Sequence, residues 1–230
     1  MNVTIDTEGL TASWSDLNNP DIYYYEVYKD GQYFQQTAEP QFTDSFGYGS
    51  IAVYTIRGID VHENVGEFSD PFEITNGTQG DVTWDGVINV LDILQIADII
   101  INDGAGFSEG QLWAAELNND GTIDIYDLLQ MVDVIMGGSY AKTIDTNGLV
   151  TVIQQGHTVY LSTSGSVAGL QITLSAPVDE SITNLTDFTF AHNGERVLLY
   201  TMNQDVLTGE RIPIIELPEG VTIKTVKAGN

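Results

Sequence analysis

Cysteine is absent from all 230 residues. That one absence excludes disulfides, thiolate metal sites, cysteine nucleophiles and iron–sulfur clusters. Basic residues are almost as scarce: 7 Lys and Arg stand against 33 Asp and Glu, giving a net charge of −26 and an isoelectric point near 4.1. A surface this acidic repels phosphate backbones and anionic lipid heads, so neither a nucleic-acid partner nor membrane insertion is expected. Long apolar runs are missing too. The most apolar stretch, Val90 to Ile101, is interrupted by Asp92 and Asp98 and is too short to span a bilayer. Met1 is followed by Asn-Val-Thr-Ile-Asp, which has neither a basic nor an apolar region, so any secretion signal is expected to have been removed or to lie outside this sequence.

Catalytic signatures are equally thin. The three histidines, His62, His157 and His192, fall in three separate strand or turn contexts. No G-x-S-x-G, no H-E-x-x-H and no phosphate-cradling glycine loop occurs. Glycosidase-like carboxylate pairs arise by abundance in so acidic a chain and carry no weight. The chain is therefore expected not to be an enzyme.

What is present suffices for folded cores: 42% of residues are hydrophobic and mean hydropathy is −0.03. The hydrophobic period changes twice along the chain. From Gly9 to Ile74 short alternating runs (Leu10–Trp14, Tyr23–Tyr28, Tyr33-Phe34, Ile51–Ile59, Phe72–Ile74) are separated by turn signals at Asn19-Pro20, Asp30-Gly31 and Gly47–Ser50. Asp30-Gly31 between aromatic runs predicts a hairpin, since both residues tolerate positive φ. After a polar linker, Asn76–Gly80, the period becomes helical. One apolar set runs from Ile88 to Ile101 and another from Ile123 to Met136, with Gly137-Gly138 as a helix stop. From Leu149 the alternation returns in about seven runs: Leu149–Ile153, Thr158–Leu161, Ala168–Leu174, Phe188–Phe190, Val197–Met202, Ile212–Leu217 and Val221–Val226. The expected fold class is multi-domain and mostly β: an N-terminal sandwich over 1–75, an all-α block over 80–138 and a C-terminal β-sandwich over 146–230.

The middle block contains no Lys or Arg and carries an internal repeat. Asp81, Thr83, Asp85, Asn89 and Asp92 stand at positions 1, 3, 5, 9 and 12 of a loop with Gly86 at position 6. The same positions 35 residues later hold Glu116, Asn118, Asp120, Asp124 and Asp127, with Gly121 at position 6. Ca2+ takes about six to eight oxygen ligands, which a short loop supplies only by wrapping around the ion. Side chains at 1, 3 and 5 turn inward and glycine allows the sharp bend. Val87 and Thr122 at position 7 offer backbone carbonyls, position 9 acts through water, and the carboxylate at 12 opens a helix. Ile88 and Ile123 at position 8 are expected to anchor each loop to the core. Two such loops imply two Ca2+ ions, with binding and folding as one event. Position 12 is Asp rather than Glu in both copies, Thr83 makes the first site the leaner one, and Glu116 lengthens the arm at position 1 of the second.

The duplicated loop, the Asp at position 12 and the lack of a helix before the first loop resemble a dockerin domain with two F-hand calcium loops. The resemblance covers Gly80 to Gly138, about a quarter of the chain. It implies Ca2+-dependent attachment to a cohesin through the helices that follow the loops, as in the cellulosome. The family reads its partner at loop positions 10 and 11, here Val90-Leu91 and Ile125-Tyr126 rather than a small hydroxyl pair. That apolar identity suits an apolar contact, or one made within the chain.

Asn2 to Ile74 resembles a fibronectin type III module. Trp14 is placed as its core tryptophan, Tyr54 as the tyrosine whose hydroxyl caps a sandwich corner, and Ile59–Ser69 as the hairpin of bacterial versions. Tyr23, Tyr24 and Tyr25 suit core and cross-strand packing better than sugar stacking. Gly156–Leu161 followed by Val167–Leu174 resembles the opening of a cohesin, although the block is shorter than a full one. These resemblances imply a non-catalytic fragment of a secreted or cell-surface, extracellular bacterial protein. It would serve cohesin–dockerin-type protein–protein attachment in trans, or an intramolecular clasp with its own C-terminal domain in cis. The alternative is a calcium-rigidified stalk or carbohydrate-binding accessory region of an adhesin or of an enzyme of polysaccharide catabolism.

Overall fold

In a computed structural model of the chain, residues 2–6, 9–15, 21–136, 150–178, 181–203 and 205–229 are described. The expected Asn19-Pro20 turn and Gly137-Gly138 helix stop lie outside these residues. The N-terminal strands are β1 (Asn2–Asp6), β2 (Gly9–Ser13), β3 (Ile22–Lys29), β4 (Gln32–Thr37), β5 (Gln41–Asp44), β6 (Ile51–Asp60) and β7 (Phe72–Thr75). They form two antiparallel sheets, β1-β2-β5 and β4-β3-β6-β7. Alternation sends Leu10, Ala12 and Phe42 from one sheet, and Tyr25, Val27, Tyr54 and Ile56 from the other, into one buried cluster. Asp30 and Gly31 turn the β3–β4 hairpin at φ 49° and 75°, the conformation their sequence predicts. Trp14 packs on this core, its ring edge-on to Tyr25 at 5.1 Å. Tyr25 and Val27 are buried on one face of β3, but Tyr23, two positions back, is 68% exposed, because the β3–β6 register shifts between Ile22 and Tyr24 and interrupts the alternation there.

Tyr54 is fully buried, but its hydroxyl donates to the Asp44 carboxylate rather than to the backbone. The same carboxylate is paired with Lys29 at 2.6 Å. Burial pushes the Asp44 carboxyl up. The donors from Lys29, Tyr54 and the Ser45 amide outweigh that and hold it below the usual range. Burial first, then the charge and hydrogen bond of Asp44, push the Tyr54 hydroxyl far above its ordinary value. A carboxyl depressed on folding contributes stability above its unfolded value, about pH 3.9, and loses it as pH falls through the folded value. Tyr54→Phe is therefore expected to cost about 1.5–3 kcal/mol at neutral pH and to move the acid-unfolding midpoint upward. Thermal melts of both proteins between pH 2.5 and 7 check this; an unmoved acid midpoint would count against the Asp44 account.

The middle block is α1 (Val90–Ile101), α2 (Glu109–Ala115) and α3 (Ile125–Met136). Two of these helices follow the loops as expected. The third, α2, is added between them and opens on a Ser108–Gln111 capping box. The C-terminal strands are β8 (Thr151–Gln155), β9 (Thr158–Val167), β10 (Gly169–Val178), β11 (Thr183–Asn184), β12 (Thr189–Tyr200), β13 (Leu207–Glu216) and β14 (Ile223–Gly229), in sheets β12-β10-β14 and β11-β13-β9-β8. The separate runs expected at Phe188–Phe190 and Val197–Met202 belong to one long strand, β12. No helix among the described residues is long and apolar enough to cross a membrane.

The end of β12, Val197–Tyr200, is buried on both faces. Val197 and Leu199 enter the sandwich core, whereas Leu198 and Tyr200 join Ala168 in the core of the helical block. The helices and the β12-β10-β14 sheet thus share one hydrophobic cluster.

Candidate metal centre

Both loops are held by the same pattern of amide donors. The carboxylate at position 12 accepts from the amides of positions 3 and 9: Thr83 and Asn89 for Asp92, Asn118 and Asp124 for Asp127, at 2.8–3.1 Å. Asp81 and Glu116 at position 1 accept from the amides of Asp85 and Asp120 at position 5. Asp85 and Asp120 accept from position 7, Val87 and Thr122. Asn89 and Asp124 accept from Leu91 and Tyr126, so each caps its helix. Backbone angles repeat as well: φ is 59° at Trp84 and Asn119, and 84° at Gly86 and Gly121. The repeat read from the sequence is therefore one three-dimensional loop made twice.

Every donor group in these loops is oxygen, from carboxylates, amide or hydroxyl side chains, and the position-7 carbonyls. This set fits a hard divalent cation such as Ca2+ and offers nothing to softer metals. Among the described residues, no three His, Cys, Asp or Glu side chains are gathered around one point. The carboxylates are turned onto loop amides instead, and Thr83 Oγ1 donates to Asp92 at 3.0 Å. Asp92 and Asp127 are fully buried. Burial above all pushes the Asp127 carboxyl up, against three amide donors, and the charge of Asp124 adds to the rise. Ile88 and Ile123 pack against the helical core.

The two candidate partner pairs meet different fates. Val90 and Leu91, at the start of α1, are 45% and 51% exposed, with Leu94 a turn on at 47%. Ile125 is fully buried and Tyr126 half-buried against the β12-β10-β14 sheet. The Tyr126 hydroxyl donates to the Ala228 carbonyl at 3.1 Å, the Ile125 amide donates to Gln171 Oε1, and Lys227 pairs with Asp124 at 2.5 Å. Gly169 and Gly229 make room, since a Cβ at either would lie 2.6–2.7 Å from Ile125 or Leu129. Arg196 of β12 bonds the Ile100 carbonyl and pairs with Asp103, supplying the cation that the C-terminus of α1 lacks.

A second joint, which the sequence reading missed, touches the first loop. Tyr48, between β5 and β6, stacks on Trp113 of α2 at 5.6 Å and meets Trp84 edge-on at 5.9 Å. Trp84 is loop position 4. Its left-handed backbone costs a non-glycine residue about 1–2 kcal/mol, less where Asn stands, as at 119 in the second loop. A Cβ on Gly110 would lie 2.7 Å from the Trp84 ring, so only glycine admits the indole. An aromatic at 48 between two glycines, and two tryptophans in a helical block whose apolar residues are mostly aliphatic, were the available signals.

Residues 79–136, about a quarter of the chain, match the family model of the dockerin type I domain. No curated protein matches the chain. Among solved structures, a chitinase, ChiA74 from Bacillus thuringiensis, aligns over 100% of this chain and 28% of its own, at 9% identity and a TM-score of 0.28, too low to carry an argument. The chain spans little more than a quarter of that protein's length. The helical block is a dockerin-type module flanked by β sheets. Modules of this family are non-catalytic, bind calcium and attach to cohesin domains.

Proposed function

We propose that this chain is a non-catalytic attachment segment of an extracellular protein, with fibronectin-like, dockerin-like and cohesin-like modules at 1–75, 80–138 and 146–230. The twelve residues Asp81, Thr83, Asp85, Val87, Asn89, Asp92, Glu116, Asn118, Asp120, Thr122, Asp124 and Asp127 hold two Ca2+ ions. The loop-2 pair, Ile125 and Tyr126, serves the cis clasp with the C-terminal sandwich. The loop-1 pair, Val90 and Leu91, serves a cohesin in trans. The unequal fate of these equivalent positions, one pair covered and the other open to solvent, carries the reading. Three exposed aliphatic side chains on one helix start suit the centre of a protein–protein interface better than a solvated face.

A panel of cohesins titrated against the chain in calcium tests this. Binding is expected, with a Kd weakened at least tenfold by Leu91→Asp and unmoved by Tyr23→Ala on the distant N-terminal sheet. A chain that binds two ions but no cohesin would favour the stalk reading, in which the clasped joints only set the geometry between neighbouring domains.

A further inference from the structure

We infer that the first calcium loop controls the joint to the N-terminal sandwich through Trp84, so that metal affinity at this loop and docking of Tyr48 are one linked equilibrium. The inference rests on the proposed reading of that loop as a calcium site and deepens it.

Trp84 sits between two proposed ligands, Thr83 and Asp85. The amides of those neighbours donate to Asp92 and Asp81, the carboxylates at positions 12 and 1, and between them the Trp84 backbone stands at φ 59°. In that conformation the indole reaches Gly77, Gly110 and Tyr48, and its Nε1 is buried with no hydrogen-bond partner. The ring is therefore held by packing alone, and its position follows its backbone. A loop free to relax would leave the left-handed region and withdraw the ring from Tyr48. Tyr48 is in turn tied to the sandwich edge and linker: Gly49 donates to the Asn76 carbonyl at 2.7 Å, and Asn76 donates to the Ser50 carbonyl. On the far side Gly80 donates to the Ala114 carbonyl at 2.9 Å, closing the linker on α2. Loop 2 has Asn119 at the equivalent position, exposed, and makes no such contact to the N-terminal sandwich among the described residues. The two loops are thus alike in donors and unlike in what they hold.

Coupling is reciprocal, so a change on the sandwich side must appear as a change in metal affinity. The experiment is a calcium titration of the full chain by calorimetry, the two steps being assigned with Asp85→Ala and Asp120→Ala. Tyr48→Ala removes a ring that lies outside the N-terminal core cluster. It is expected to weaken the first site about fivefold or more and to leave the second site unchanged. In a Trp84→Asn background, which copies loop 2, Tyr48→Ala is expected to have no further effect. Near-UV circular dichroism of the tryptophans should change with the first ion in the unmodified chain and not in Trp84→Asn. First-site affinity within twofold of normal in Tyr48→Ala, or an undiminished Tyr48 effect in Trp84→Asn, overturns the coupling alone. A titration unmoved by Asp85→Ala overturns the metal assignment at this loop, and the coupling with it.

Discussion

Chelation of calcium is expected to lower the melting temperature of the chain by about 10 °C or more relative to calcium at a hundredfold excess over Kd. The charge distribution sets the size of the effect. No Lys or Arg occurs between Asp81 and Gly138, and the cations that reach this block, Arg196 and Lys227, come from the C-terminal sheet. Asp92 and Asp127 are buried carboxylates whose compensation within the loops is backbone amides and, for Asp92, the Thr83 hydroxyl, neutral donors that screen less than a divalent ion. Asp127, with its carboxyl pushed up by burial, gives the sign with pH. A carboxyl raised on folding contributes stability that is present below its unfolded value and lost as pH rises through the folded value. The chelated chain is therefore penalised at neutral pH and recovers part of the loss on mild acidification. The calcium-loaded chain behaves oppositely, because protons compete with the ion for the same oxygens. Differential scanning calorimetry with calcium and with chelator, at pH 5 and 7, checks both statements. Superimposable melts with and without calcium at pH 7 would sink the two-ion reading.

Much of this was legible in the sequence because it is periodic or local. The duplicated spacing from Asp81 and from Glu116 required only that like residues build like loops, and the paired φ values at 84 and 119 show that they do. The Asp30-Gly31 hairpin and the alternating strands followed from residue chemistry alone. Short elements escaped: α2 has seven residues and β11 two, too few for a period to declare itself. The joints escaped for a different reason. Tyr48 meets Trp84 and Trp113 across 36 and 65 positions of chain, and no local pattern announces such a contact. One warning was present in the run Val197-Leu-Leu-Tyr200. Four consecutive apolar residues in an alternating strand signal burial on both faces, and hence a second body against the sheet. The unequal fate of Val90-Leu91 and Ile125-Tyr126 could not be read at all, since their spacing is identical and only the fold distinguishes them.

Leu198→Asp should separate the helical block from the C-terminal sandwich. Leu198 is fully buried and points into the cluster formed by the helices, opposite Gln171 in the β10 register. An ionised carboxylate there lies among apolar side chains, the cations that this sheet turns to the helices, Arg196 and Lys227, are already paired with Asp103 and Asp124, and leaving the charge buried costs several kcal/mol. Its neighbours Val197 and Leu199 face the other way, into the sandwich core, so the sheet can keep its own packing while the joint gives. The joint also holds polar ties at Lys227–Asp124, Arg196–Asp103 and Tyr126–Ala228. The Arg196–Asp103 pair is partly exposed and contributes at most about 1 kcal/mol, and neither it nor Lys227–Asp124, whose carboxylate is buried, removes the charge placed at 198. Small-angle scattering in calcium should show a larger radius of gyration than the parent chain. Opening the joint uncovers Ile125 and Tyr126 and restores the equivalence of the two repeats. If the closed chain offers a cohesin only Val90-Leu91, as proposed, binding should then survive Leu91→Asp in the Leu198→Asp background. Unchanged scattering and melting in Leu198→Asp would mean that the shared core at Leu198 and Tyr200 contributes little to holding the modules together, and the cis clasp would fall with it.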